Sequence, residues 1–455
     1  MPGSSRIIPN GLSLLIGLFG LLGCSASKQA SPHAGTTAAP YLGPTAYTPP
    51  AAAPAGPLPP VMLGIDVLEA DGFAQVKGKR LGLLTHPAGV NRRGVSTIEV
   101  LHRAPGVQLV ALYAVEHGLY ADQPAERPVA DTIDPRTGLP VISLYKGNVT
   151  KPTPAQLKGI DAMVIDLQDI GTRSYTFSGA MKKIMEACFE DGKEVIVLDR
   201  PNPLGGLKVD GPLLDPQWMS DVGRFRVPYV HGLTMGELAL MAKDEAPPGG
   251  LVISDRARAR GKLTVIPMRG WRRAMRWPET GLKWVPTSGL IQNFEAVLGY
   301  PMVGLGCILG GFRHGVGEQY PFRGIAHLSV KVDVVEKELR ALDLPGLRFR
   351  RVNVTDAKGK PAIGTYIEIT DYDAWQPTEL NFYLMQLACK LEPKNPFAAA
   401  SAMDRRTFLV HVGSTAFFND LVAKGRNVDV AAWLKLWRQQ AAIYQQESRK
   451  YWLYN

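Results

Sequence analysis

Ala162-Met163-Val164-Ile165-Asp166-Leu167-Gln168-Asp169-Ile170-Gly171-Thr172-Arg173 is the stretch on which the fold turns. Its first six residues are apolar but for Asp166, the pattern of a strand covered on both faces, as in a parallel sheet. The polar run that follows is what a strand leaves at its carboxyl end. Upstream, Arg80–Leu84, Val107–Ala114 and Val141–Tyr145 repeat the strand signal, and Glu194–Leu198 repeats it downstream. Between them lie helical spacings over Ser96–Arg103 and Phe177–Phe189, the latter stopped at Gly192. Thr153-Pro154-Ala155-Gln156 and Thr234-Met235-Gly236-Glu237 are capping boxes that open two more helices. Strands separated by helices imply right-handed crossovers and a mainly parallel sheet. The expected fold class is therefore α/β: a Rossmann-like, mainly parallel sheet domain over residues 61–265, then a smaller α+β C-terminal domain over 266–455. The latter rests on helices at Val334–Leu342, Thr378–Leu391 and Val430–Tyr451 and strands at Leu347–Val354 and Gly364–Thr370.

The amino terminus reads differently. Arg6 is the one charge before Lys28, and Leu14–Leu22 is apolar apart from Gly17 and Gly20. A helix needs roughly 20 apolar residues to span a bilayer, so this run has the length of a signal-peptide core. Leu21-Leu22-Gly23-Cys24 resembles the bacterial lipobox, giving residues 1–23 as a lipoprotein signal peptide and Cys24 as the lipidation site. Residues 24–60 are Pro, Ala, Thr, Ser and Gly without an acid, a tether that buries too little apolar surface to order itself. The expectation is an extracytoplasmic, membrane-anchored lipoprotein on the periplasmic side or cell surface. Ser25, rather than Asp, favours the outer membrane in a Gram-negative cell.

Composition is globular, 45% hydrophobic and 20% charged, with a net charge of +10. No Lys/Arg run or nucleic-acid motif concentrates that charge, so no nucleic-acid partner is expected; an anionic wall polymer or anionic lipid suits it better. Apart from Cys24, the cysteines are Cys188, Cys307 and Cys389, an odd and widely spaced set that argues against a disulfide framework.

In open parallel sheets, ligands bind beyond the carboxyl ends of the strands. Four polar segments fall there: Thr85-His86-Pro87, Val115-Glu116-His117-Gly118, Asp166 to Arg173, and Asp199-Arg200-Pro201-Asn202-Pro203. There is no G-x-S-x-G elbow, H-E-x-x-H pair, C-x-x-C pair or Walker loop. Thr85-His86-Pro87-Ala88-Gly89 stands where a dinucleotide fingerprint would, so neither a nucleotide cofactor nor a metal is expected. Carboxylates, Arg, Tyr and His remain. They are the inventory of glycosidic-bond cleavage, where one carboxyl protonates the leaving oxygen and others stabilise an oxocarbenium-like transition state.

Six ordered motifs extend the reading. They are Gly82-Leu83-Leu84-Thr85 with Pro87 and Gly89; Glu116-His117-Gly118; Asp134-Pro135 with Thr137-Gly138-Leu139-Pro140; Asp166 to Arg173 with Tyr175; Asp199 to Pro203 with Gly205-Gly206 and Gly211-Pro212; and Pro228 to Gly232 with Gly236-Glu237-Leu238. With Tyr451-Trp452-Leu453-Tyr454 at the end, the chain resembles the NamZ-type exo-β-N-acetylmuramidases, a family of peptidoglycan hexosaminidases. The resemblance implies release of N-acetylmuramic acid from the non-reducing end of peptidoglycan fragments. It makes Glu116 the general acid/base and suits Asp166 or Asp169 to orienting a 2-acetamido group. Arg173 suits a lactyl carboxylate, and Gln168, Tyr175, Asp199 and Asn202 are further substrate contacts. His117 and His231 either brace carboxylates or transfer protons. Trp271, Trp277 and Trp284 are candidates for stacking on a sugar, with core packing the expected role of at least two.

The chain departs from the family pattern at His86, at Leu119-Tyr120, at Ser288-Gly289-Leu290 and at His314-Gly315-Val316-Gly317. Two readings follow: an active exo-glycosidase with altered specificity, or a lipid-anchored glycan-binding protein that keeps the cleft without turnover.

Overall fold

The computed structural model describes residues 60–120, 128–317, 320–355 and 359–455. Cys24, the signal peptide and the tether up to residue 59 lie outside the described residues. Strands β1 (Arg80–Thr85), β2 (Gln108–Ala114), β3 (Thr132–Ile133), β4 (Pro140–Ser143), β5 (Ala162–Asp166), β6 (Glu194–Leu198) and β7 (Leu263–Ile266) form one sheet in the order β3-β4-β2-β1-β5-β6-β7. Every pairing is parallel except that of β3 with β4. Leaving β3 aside, the strands run third, second, first, fourth, fifth, sixth, which is the doubly wound order of Rossmann sheets. The expected fold class is the observed one.

The sheet is buried on both sides, and its side chains alternate between two cores with the period of two that pleating imposes. Leu81, Leu83, Ala162, Val164, Ile196 and Leu198 enter one core. Leu84, Met163, Ile165, Val195 and Val197 enter the other. Helices α1 (Gly64–Ala70) and α2 (Thr97–Arg103) cover the first face; α3 (Pro154–Leu157), α4 (Thr176–Glu190) and α5 (Met235–Asp244) contribute to the second, and α6 (Asp255–Arg260) is exposed. Both capping boxes form. Thr153 and Thr234 accept from the backbone of Gln156 and Glu237, whose side chains close back on the cap.

The second core continues into the rest of the chain. Helix α7 (Phe294–Val303) packs on a four-stranded antiparallel sheet, order β10-β11-β9-β8, made of β8 (Phe312–Val316), β9 (Tyr320–His327), β10 (Leu347–Thr355) and β11 (Pro361–Ile369). Helices α8 (Val332–Ala341), α9 (Glu379–Leu391), α10 (Ala402–Val412), α11 (Thr415–Lys424) and α12 (Val430–Ser448) complete it. Cys188, Cys307 and Cys389 are free thiols.

Residues 453 and 454 are tied to the carboxyl edge of the parallel sheet and to α5. Leu453 N–H donates to Glu237 Oε1 at 2.9 Å and the Tyr454 hydroxyl to Asp199 Oδ2 at 2.5 Å. Arg273 pairs with Glu237 at 2.6 Å while its guanidinium lies 3.8 Å from the Trp452 ring centre. Position 236 has to be glycine, because a Cβ there would sit 2.8 Å from the Asp199 carboxyl carbon. Burial raises Asp199 from its ordinary 3.8 to about 6, against the hydrogen bonds from Tyr454, Gly236 and Thr234.

That shift has a definite sign. The folded carboxyl holds its proton more tightly than the unfolded one, so its share of stability is present below about pH 4 and lost as pH rises towards about 6. Urea titrations of Asp199→Asn across that range should show a flatter stability–pH curve than the parent. Identical curves would remove Asp199 from the pH response.

Candidate active site

The sheet order reverses between β1 and β5, whose last paired residues are Thr85 and Asp166. A crevice outside the carboxyl ends of the strands belongs at such a point. The sequence candidates gather around it in two layers.

The inner layer is closed upon itself. Asp166 is fully buried, and Arg200 grips it with Nε at 2.5 Å from Oδ1 and Nη2 at 2.9 Å from Oδ2. The Thr97 hydroxyl adds a short bond to Oδ2, and Arg200 Nη2 also donates to Val90 O at 2.6 Å. Asp199 accepts from Arg200 N, Gly236 N, Thr234 Oγ1 and Tyr454 Oη. Asn202 bridges Leu233 O and Leu204 N. Arg173, expected to clamp a carboxylate, is instead a staple. Nη1 donates to Pro212 O and Val227 O at 2.8 Å each, and Nη2 to His411 O and Val412 O at 2.9 and 3.0 Å. All four of its terminal N–H groups are engaged by backbone carbonyls, and burial lowers its pKa to about 10.

The outer layer is less fully paired. Asp169 Oδ2 accepts from Gly171 N at 2.6 Å, a local turn that works because Gly171 has φ 80°. His231 Nε2 lies 3.5 Å from the same oxygen. Leu233 N–H donates to His231 Nδ1, which leaves Nε2 to carry a proton towards Asp169. Gln168 donates from its backbone N–H to His86 Nε2 at 2.9 Å and from its side chain to Asp169 O and Pro201 O. Burial and the charge of Arg200 hold His86 well below its usual pKa, so it is neutral. Four side-chain atoms here are buried with no partner among the described residues: His86 Nδ1, Gln168 Oε1, Asp169 Oδ1 and Thr172 Oγ1. Each such atom costs about 1–3 kcal/mol, and a group of them at a switch point is what a ligand site requires.

Glu116 stands after β2, half-buried, at a turn where His117 and Gly118 have φ 74° and 80°. A non-glycine residue at such an angle is uncommon and strained. The Thr176 hydroxyl, in the first turn of α4, donates to Glu116 Oε2 at 3.2 Å, and the helix amino end favours a negative charge there.

Tyr300, from α7, reaches the same edge and hydrogen-bonds Ser174. Burial raises its phenol and the charges of Glu116 and Asp169 raise it further, while a hydrogen bond from Ser174 opposes them. Ser174 Oγ lies 3.2 Å from Tyr300 Oη and 2.8 Å from Tyr229 Oη. The Tyr175 hydroxyl donates to Thr287 Oγ1 at 2.7 Å. Phe322, also strained at φ 57°, packs 5.0 Å from Tyr300 and stacks on His314 at 4.3 Å. Burial lowers His314 to about 4, leaving a neutral ring. Trp271 packs on Tyr454, and Trp277 with Trp284 and Phe294, so all three tryptophans have packing partners. Among the described residues no group of three His, Cys, Asp or Glu could hold a metal ion.

Of the residues named as candidates from sequence, Glu116, Asp169, His231 and Gln168 stand at this edge; Thr176, Ser174, Tyr229, Thr287 and Tyr300 stand with them without having been singled out as site residues. Thr176 had a signal, since it follows the Tyr175 cap of an amphipathic helix. Tyr300 had none: it sits in an apolar segment, and only the tertiary fold brings it to the sheet's edge.

Fold and site together define an α/β protein with a carboxylate-and-hydroxyl site at the switch point of a Rossmann-ordered sheet. Two family models match, Exo-beta-N-acetylmuramidase NamZ, N-terminal, over residues 81–295 and its C-terminal counterpart over 298–454. The chain belongs to the NamZ exo-β-N-acetylmuramidase family. It is 37% identical over 353 residues to the peptidoglycan β-N-acetylmuramidase NamZ of Bacillus subtilis (strain 168), covering 76% of this chain and 82% of the relative. Two crystal structures of DUF1343 family proteins from Bacteroides fragilis NCTC 9343 are similar. One has a TM-score of 0.78 at 37% identity, covering 88% of this chain and all of that one. The other has a TM-score of 0.64 at 26% identity, covering 87% and 99%.

The Asp166–Arg200 pair gives a direct test of the inner layer. Arg200→Ala leaves a buried carboxylate without its cation and should lower unfolding free energy by about 3–5 kcal/mol in a denaturant titration. Lysine cannot reproduce the two-pronged grip, so Arg200→Lys should rescue only part. A full rescue by lysine would reduce the pair to a point-charge contact.

Proposed function

We propose that this chain is an exo-acting glycoside hydrolase that removes N-acetylmuramic acid from the non-reducing end of peptidoglycan fragments, with Glu116 as general acid/base. Family membership supports the reaction class, and the B. subtilis relative is named for that bond. The observation that carries the reading is Asp169 at the switch point with Oδ1 buried and unpartnered among the described residues, and Glu116 held by Thr176 at the end of β2.

Roles divide accordingly. Glu116, held by Thr176, delivers a proton to the glycosidic oxygen. Asp169, braced by His231 and Gly171, presents Oδ1 to the N–H of a 2-acetamido group, which orients that group to assist cleavage of its own glycoside. Tyr300 donates between the two. Asp166 positions rather than contacts, because both its oxygens are engaged. Arg173 holds backbone, so the lactyl carboxylate is not its ligand.

General acid catalysis contributes typically about 10²–10⁴-fold, so Glu116→Gln should slow turnover of natural wall fragments by that much with little change in KM. The loss should shrink on an activated nitrophenyl glycoside, whose leaving group needs no proton. Parental rates in the Gln variant would remove Glu116 from the mechanism. Binding of fragments without hydrolysis by the parent protein would overturn the enzymatic reading itself.

We also propose that the protein is exported and held to a membrane by lipid on Cys24, on the strength of Leu21-Leu22-Gly23-Cys24 and the acid-free tether. Cell fractionation should then find Cys24→Ser in the soluble extracytoplasmic fraction. If the variant stays as membrane-bound as its parent, the anchor is elsewhere.

A further inference from the structure

A cavity of about 320 Å³ opens at the edge of the parallel sheet opposite the site described above. Residues 191–193 and 261–262 lead into β6 and β7, so the cavity lies at the amino ends of those strands. Lys193, Arg256, Arg260 and Lys262 line it, together with Glu190 and Ser254. Gly261 lies flat on the Phe189 ring, where a Cβ would come within 2.2 Å of the ring edge.

The charges around this cavity do not balance. Glu194 is shared by Lys79 at 2.8 Å and Lys262 at 3.0 Å. Lys193 is 3.8 Å from Asp191, and Glu190 already faces Lys151 at 3.3 Å. On α6, Arg258 is committed to Asp255 and to Glu245 O. Arg256 and Arg260 are exposed and have no ion pair or hydrogen bond among the described residues. They lie four residues apart on a helix of six, a like-charge spacing that weakens a helix. A bound anion would convert that repulsion into attraction.

We propose that this cavity binds the phosphate of a small polyol or sugar phosphate ester. Two guanidinium forks match tetrahedral oxyanions by two-pronged bonding. A volume near the lower end of small-molecule sites, roughly 300–1,000 Å³, takes a phosphate with its carrier and not a longer polymer segment. The ligand has two sources of the same chemistry, a soluble phosphoglycerol or sugar phosphate and the headgroup of an anionic phospholipid.

The test uses the full chain as Cys24→Ser, so that lipid does not confound membrane binding. Glycerol 3-phosphate is titrated calorimetrically at low salt, and cosedimentation is measured with phosphatidylglycerol and with phosphatidylcholine vesicles. Arg256→Gln/Arg260→Gln should weaken binding on the order of tenfold or more, as loss of two close charges implies. Arg426→Gln/Lys435→Gln, an equal change of charge at exposed positions elsewhere, should not. Saturable glycerol 3-phosphate binding with that pattern assigns a soluble ligand; the same pattern with phosphatidylglycerol vesicles alone assigns a headgroup. No saturable binding to either probe, or equal losses in the two double variants, overturns the proposal.

Discussion

Everything at the working edge of this protein is hung on one buried ion pair, Asp166 with Arg200. A carboxylate with no exposure carries a desolvation penalty of several kcal/mol, which only well-formed partners offset. Here the partners are the two-pronged guanidinium and the Thr97 hydroxyl. Those groups come from the end of β5, the residues after β6 and the start of α2, so the pair fixes three crossovers at once. Arg200 also donates to Val90 O, drawing in the segment between β1 and α2. Asp169 is only three residues beyond Asp166, and its place is set by where that pair ends the strand.

The contrast between the two layers follows from chain chemistry. Inner groups meet partners that are fixed by backbone: Asp199 with Gly236 N, Asn202 with Leu233 O, Arg173 with four carbonyls. Outer groups also meet backbone, Asp169 with Gly171 N and Gln168 with Pro201 O, but several of their atoms have no partner among the described residues. A polar atom shut away without a partner is unfavourable in an empty site and becomes favourable when substrate completes it. Strain at His117 and Phe322 lies in the same place, beside Glu116 and Tyr300. A functional edge is where such local violations are expected to concentrate.

Much of the parallel sheet was legible because its signals are local. β5 is a run of apolar residues, and the helices at Thr153 and Thr234 announce themselves by their caps. What escaped was short, broken or apolar all round. β7 has four residues, β8 and β9 carry Gly315, Pro321 and Gly324, and α7 contains Gly299 and Pro301. None shows a clean period of 2 or 3.6. The site was half legible for a related reason. Residue types at strand ends can be read from sequence, but which atoms remain free depends on partners far along the chain. Arg173 reaches His411 O across 238 positions, and Tyr454 reaches Asp199 across 255.

Arg173 shows why such distance matters to chemistry. Its sequence context, a polar loop after a buried strand, is the same context that delivers Asp169 to the site. Only the carbonyls of residues 212, 227, 411 and 412 distinguish the two. By engaging them, Arg173 ties the loop between β5 and α4 to the end of α10 and withdraws its charge from the site. Burial leaves His86 and His314 neutral beside it. The amino end of α4 faces Glu116, and Gly171 N–H with the His231 ring faces Asp169.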